Sequence, residues 1–149
     1  MTKTEWNNKL TYGAYESELE WFAMDKNGYL GMFTAIMNAP IAEQIKKSFE
    51  LYTKLKNIIN NLPNTSSALQ IIKGDGDFSD WLNYSQKGLF SFDYQDIHRV
   101  EKLDQYDLVS QPSKPISIDE LDIEKQLIEI VPQLGCSFQE GNLKTQLIS

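Results

Sequence analysis

The sequence is poor in the residues that most often carry out chemistry. Its 149 residues include one cysteine, Cys136, and one histidine, His98. A lone cysteine cannot close an internal disulfide, which fits a reducing compartment. One His and one Cys also fall short of the ligand set of a His/Cys zinc site, so no cofactor or metal is expected. No apolar run is longer than Trp21-Phe22-Ala23-Met24, too short to cross a bilayer. Met1 to Asn8 carries no apolar stretch of the signal-peptide kind. The expectation is a cytoplasmic chain without membrane association.

What is present argues for a packed core. Hydrophobic residues make up 41%, and there are seven Phe, seven Tyr and three Trp, too many for a disordered chain. No internal repeat or low-complexity linker divides residues 1–149, so a single globular domain is expected.

Charge is unevenly spread. Residues 1–74 are near neutral, at +1, whereas residues 75–140 hold 14 acids against 5 bases, a net of -9. Such a field repels phosphate backbones and disfavours nucleic acid, but it attracts a basic protein partner at long range. The blander use of the same charges is a solvated face that keeps a small protein dispersed.

Residues 18–36 read as a hairpin with Asp25-Lys26-Asn27-Gly28 at its tip, since Asn-Gly tolerates the positive φ of tight turns. Both faces of its strands are apolar, so it should be covered on two sides or sit centrally in its sheet. Residues 39–62 read as one long helix along Ile45, Phe49, Tyr52, Leu55 and Ile59, with Pro40 in its first turn and Pro63 beyond its end. Leu89 to Tyr94 alternates, with Phe90, Phe92 and Tyr94 opposite Ser91 and Asp93, which predicts a strand with one wet side. Tyr106 to Ser110 predicts another strand. Ser117 and Glu120 have the spacing of a capping box, opening a second helix that ends near Pro132. The fold class expected is α+β, a mainly antiparallel sheet packed by one long helix and a shorter C-terminal helix. Trp21, Phe33, Phe49, Tyr52, Phe90 and Phe92 should share one core.

Candidate catalytic groups are few. His98 beside Asp96 could act as a base, and with Cys136 could form a nucleophile pair, but nothing in their surroundings marks either as activated. Asp75-Gly76-Asp77-Phe78-Ser79-Asp80 offers oxygen ligands at short spacing, yet position 6 of an EF-hand would be Asp80 rather than glycine and position 12 Gln86 rather than glutamate. A turn capping a short helix explains the same residues. Glu18 and Glu20, two apart on a strand, share a face and could form a carboxylate pair, though solvation of a strand edge is the better account of them.

Two stretches carry a resemblance. Trp21-Phe22-Ala23-Met24-Asp25-Lys26-Asn27-Gly28 resembles the opening hairpin of a family of small, uncharacterised bacterial proteins. Tyr106-Asp107-Leu108-Val109 and Pro112-Ser113-Lys114-Pro115-Ile116-Ser117-Ile118-Asp119-Glu120-Leu121 are similar to that family's second half, with Asp122 where the family often has proline. The resemblance implies a protein of immunity type, a small acidic binder that neutralises a toxin.

The resulting expectation is a non-enzymatic, acidic binding protein, an immunity-type inhibitor of a bacterial toxin, whose partner is basic. Asp75, Asp77, Asp80, Trp81 and Tyr84 are the expected partner-binding residues: the acids steer the encounter, and the aromatics that follow them anchor it. The alternatives are a small hydrolase using Asp75, Asp77 and Asp80, and a housekeeping domain with an uncharged partner or none.

Overall fold

The computed structural model describes residues 1–12 and 18–149. The hairpin forms where its pattern places it: β1 (Leu19–Met24) pairs antiparallel with β2 (Leu30–Ala35) from Leu19↔Ala35 to Met24↔Leu30. Gly28 takes the positive φ of the turn, at 83°. Asp25, fully buried, closes that turn: one carboxylate oxygen accepts from the Asn27 and Tyr29 amides at 2.9 and 3.0 Å. The other accepts from the Phe138 amide at 3.0 Å, tying the C-terminal part of the chain to the hairpin. β1 and β2 are buried almost throughout, as apolar faces on both sides require.

The sheet adds β3 (Ala68–Gln70), β4 (Phe90–Tyr94), β5 (Gln105–Pro112) and β6 (Leu143–Lys144). Its order is β1-β2-β4-β5-β3, with β6 also on β5. β2 and β4 run parallel, Gly31 opposite Phe90 and Thr34 opposite Asp93. The sheet is therefore mixed rather than mainly antiparallel. A hairpin is legible from its turn, whereas the long connection that returns β4 beside β2 leaves no local mark of direction.

The helices also differ from expectation. The long helix is broken at Ser48, which is extended (φ -152°) and accepts the Leu51 amide on its hydroxyl at 3.2 Å. Before it lies a 3-10 turn, Glu43–Lys47; after it runs α2 (Phe49–Asn60). Pro40 thus precedes the helical structure altogether. An N-capping serine inside an apolar 3.6-residue pattern divides the pattern without disturbing it. The capping box at Ser117 is present, with the Ser117 amide 3.4 Å from Glu120 Oε1 and the Asp119 amide 3.3 Å from Ser117 Oγ. It opens only a 3-10 turn (Ile118–Glu120), because Leu121 turns extended, and the C-terminal helix α4 is the short Lys125–Glu129. Two further α-helices lie among the described residues: α1 (Lys3–Tyr12), a polar segment without an apolar stripe, and α3 (Ser79–Gln86). Trp6 anchors α1, buried 4.4 Å from the Tyr52 ring.

Trp21, Phe33, Tyr52, Phe90 and Phe92 belong to one buried cluster, with Phe49 half-buried against it. On one face of the sheet the rings form a stack: Trp21 on Phe33 at 4.5 Å and Phe33 on Phe92 at 4.7 Å. The ring that meets Phe33, Phe90 and Phe92 is Phe138, at 5.8, 5.8 and 5.2 Å. Gly31 makes room for it, since a methyl group there would sit 2.8 Å from Phe138 Cε2.

The face of β4 expected to be wet is closed. Ser91 and Ser110 are fully buried beneath α3, and both hydroxyls donate to the Trp81 carbonyl, at 2.9 and 3.1 Å. Ser85 Oγ, 2.7 Å from Ser110 Oγ, donates to the Leu89 carbonyl at 2.9 Å. Serine reads as a surface residue in a sequence, but its single hydroxyl is easily satisfied in a core once a carbonyl is offered.

Candidate functional site

Between α2 and α3 lies a cleft of about 560 Å³, floored by β1. α2 supplies Lys56 and Asn60, one helical turn apart, and Asn64 follows its end. α3 contributes Asp80, Asn83 and Tyr84, with Lys87 directly beyond it, at the i, i+3, i+4, i+7 spacing that places all four on one face. β1 contributes Glu20.

Glu20 is the hub. Tyr84 Oη donates to its Oε1 at 2.7 Å and stands 3.0 Å from Asn60 Oδ1. Lys56 Nζ is 3.3 Å from the same Glu20 oxygen, and the Tyr52 hydroxyl donates to the Glu20 carbonyl. Lys87 Nζ is held by the Leu62 carbonyl at 3.1 Å and by Asn64 Oδ1 at 3.3 Å. Both cleft lysines are thus occupied within the wall. Asp80 is exposed and makes no ion pair among the described residues. Burial, then the charges of Glu20 and Asp80, raise the Glu18 carboxyl above its ordinary value, with Lys9 opposing. Burial, then Glu20, raises the Tyr84 phenol, so it stays a donor rather than a base at neutral pH. The arrangement presents fixed acceptors and unspent negative charge to an incoming polar or cationic group.

Of the expected partner-binding residues, Asp80 and Tyr84 come together in this cleft. Tyr84 is buried, so it acts as a wall and not as a protruding anchor. Trp81 faces the other way, half-buried with its ring 6.1 Å from Phe78, and its Nε1 is buried without a partner among the described residues. Asp75 and Asp77 are exposed on the turn before α3. Asp77 Oδ1 accepts the Ser79 amide at 3.0 Å, and that bond holds its carboxyl below the ordinary value. The three aspartates of the hydrolase alternative are thereby divided between the turn and the cleft. Among the described residues no group of three His, Cys, Asp or Glu is placed to hold a metal ion.

The other candidates also lie apart. The Cys136 carbonyl accepts the Lys26 amide at 2.9 Å beside the hairpin turn, and burial pushes the thiol up to about 11, the wrong direction for a nucleophile. His98 instead lines a separate cleft beside β5. Two carboxylates of the acidic segment, Asp96 and Asp107, are buried. Asp96 and Asp107 both bond Arg99, and the Asp96 carboxylate also accepts the Leu103 and Asp104 amides at 3.2 and 2.7 Å. Sequence reasoning missed Glu20, Lys56, Asn60, Asn64, Asn83 and Lys87 as a set. The polar i, i+3, i+4, i+7 run on α3 was the available signal. No helix among the described residues is long and apolar enough to cross a membrane. No family model, curated protein or solved structure matches this chain.

Proposed function

We propose that the protein is a non-enzymatic binding protein of immunity type, which neutralises a basic protein partner, a toxin domain, through the acidic mouth of the α2–α3 cleft and the turn that leads into it. The observation carrying this reading is the set of unspent carboxylates there. Asp75, Asp77 and Asp80 are exposed and form no ion pair among the described residues, and Asp80 lies close enough to Glu18 and Glu20 to raise the Glu18 carboxyl. Both cleft lysines are meanwhile tied to wall acceptors. A partner ammonium or guanidinium entering the cleft would relieve that repulsion and meet Asn and Glu acceptors already in place. The resemblance of the hairpin and of the Tyr106 to Leu121 segment to immunity-like proteins supports the same class.

The test begins with affinity capture from the native host, followed by binding kinetics on the recovered partner. Replacing Asp75, Asp77 and Asp80 with Asn should slow association about tenfold at low salt and flatten its salt dependence. Recovery of no basic protein, or an unchanged association rate in the triple variant, would overturn the proposal.

A further inference from the structure

β3 forms one end of the sheet and is paired along one edge alone, with β5. The Ile71 amide donates to the Val109 carbonyl at 2.7 Å, and the Ser113 amide donates to the Ser67 carbonyl at 2.9 Å. By the alternation of an antiparallel ladder, Leu69 also faces β5, and the peptide groups of Ala68 and Gln70 point away from the sheet. In that register their amides are turned from β5, and the Gln70 carbonyl is met by the flexible Lys73 Nζ at 2.7 Å. The side chains of this edge are unusually apolar for their exposure, with Leu69 54% and Ile71 40% accessible. Ile71 continues into a cleft of about 590 Å³ whose apolar wall includes Ile72, Leu103 and Leu108.

The charges around that cleft select an occupant. Arg99 in its wall is neutralised by Asp96 and Asp107. Lys73, Lys102 and Lys144 are turned back onto backbone carbonyls. The chain leaves the cleft through exposed carboxylates at both ends, Asp75 and Asp77 beyond β3, Glu101 and Asp104 beside Leu103. An open strand edge asks for an extended backbone, Leu69 and Ile71 ask for apolar side chains at alternate positions, and the flanking acids ask for positive charge.

We infer that β3 is completed by an extended basic segment of the partner protein, added as a further strand, with apolar side chains against Leu69 and Ile71 and Lys or Arg reaching the flanking carboxylates. This rests on the proposed function only for the existence of a protein partner. The probe is a short synthetic peptide of alternating Val and Lys, titrated into the isotope-labelled full chain and followed by amide NMR and hydrogen exchange. The Ala68 and Gln70 amides should gain about tenfold protection, and a Val/Glu peptide of the same length should bind about tenfold more weakly. Ala68→Pro removes an outward amide that β5 does not use, so the fold should persist while peptide affinity falls about tenfold. Leu69→Ser, at an exposed position, gives the same reading should the proline variant lose its dispersed spectrum. Peptide shifts confined to other surfaces, or unchanged affinity in both variants, would overturn the inference. So would a concentration-dependent dimer abolished by Ala68→Pro, which would make a second copy the occupant. Because the probe is not the natural partner, a negative result here leaves the cleft-based proposal standing, whereas failure to recover a basic partner leaves the peptide-binding edge intact and overturns only the assignment of its occupant to that partner.

Discussion

Phe138 should be the most consequential single ring in the protein, and its pairing with Gly31 makes that measurable. Phe138 is 1% exposed and touches Phe33, Phe90 and Phe92 on the aromatic face of the sheet. Truncation to Ala removes a fully buried ring and opens a cavity above β2, a loss of about 3–5 kcal/mol. Gly31→Ala alone forces a methyl to 2.8 Å from the same ring, an overpacking cost of about 1–3 kcal/mol. Gly31 does not have a positive φ, so backbone strain adds nothing to that cost. In the double variant the methyl enters space the ring has left. The two effects should then fall short of additivity by about 1–2 kcal/mol, as contacting sites do. Urea unfolding of all four proteins, followed by the fluorescence of Trp21 stacked 4.5 Å from Phe33, gives the cycle directly. A coupling indistinguishable from zero would refute the claim that Gly31 exists to seat Phe138.

Burial, with the Glu18 charge adding to it, pushes Asp93 up to about 7. The native state therefore holds a proton that the unfolded chain releases near about 4, so stability is withdrawn as pH rises from about 4 to about 7. Asp93→Asn should raise Tm relative to the parent increasingly across that window and by a constant amount above it; a pH-independent difference would contradict the assignment. Arg99→Met leaves the Asp96 and Asp107 side chains, 2% and 7% exposed, without their cation, and should cost about 3–5 kcal/mol in denaturant unfolding. A cost below about 1 kcal/mol would mean that those carboxylates are hydrated rather than held by Arg99.

The parts of the fold legible in the sequence were those set by contacts close along the chain. Asn27-Gly28 fixed the hairpin, and the Ser117 and Glu120 spacing fixed a cap, because each involves atoms only a few residues apart. The cap could not reveal how far its helix would run, since Leu121 turns extended where the acid-rich pattern continues. α1 was silent for a different reason: a polar helix whose one buried residue is Trp6, with Leu10 half-buried, has no apolar period to detect. The parallel pairing of β2 with β4 and the burial of Ser91 depend on what the helices bring across from far along the chain. The cleft shows the same division. Asp80 and Tyr84 were drawn from the acidic stretch and its neighbouring aromatics, whereas Glu20, Lys56 and Asn60 join them only once β1, α2 and α3 have packed.

The serines beneath α3 have a consequence for how its outer face can change. Apolar helix–sheet contacts tolerate sliding and rotation, but two hydroxyls aimed at the Trp81 carbonyl and the Ser85 hydroxyl donating to the Leu89 carbonyl are directional. They act as dowels, fixing the helix in height and rotation from its inner side alone. Asp80 and Asn83 lie on the opposite, cleft-facing side and make no side-chain hydrogen bond or ion pair among the described residues. Those two positions of the cleft wall can therefore be rewritten on a mounting that stays where it is. Side chains can change there at little structural cost.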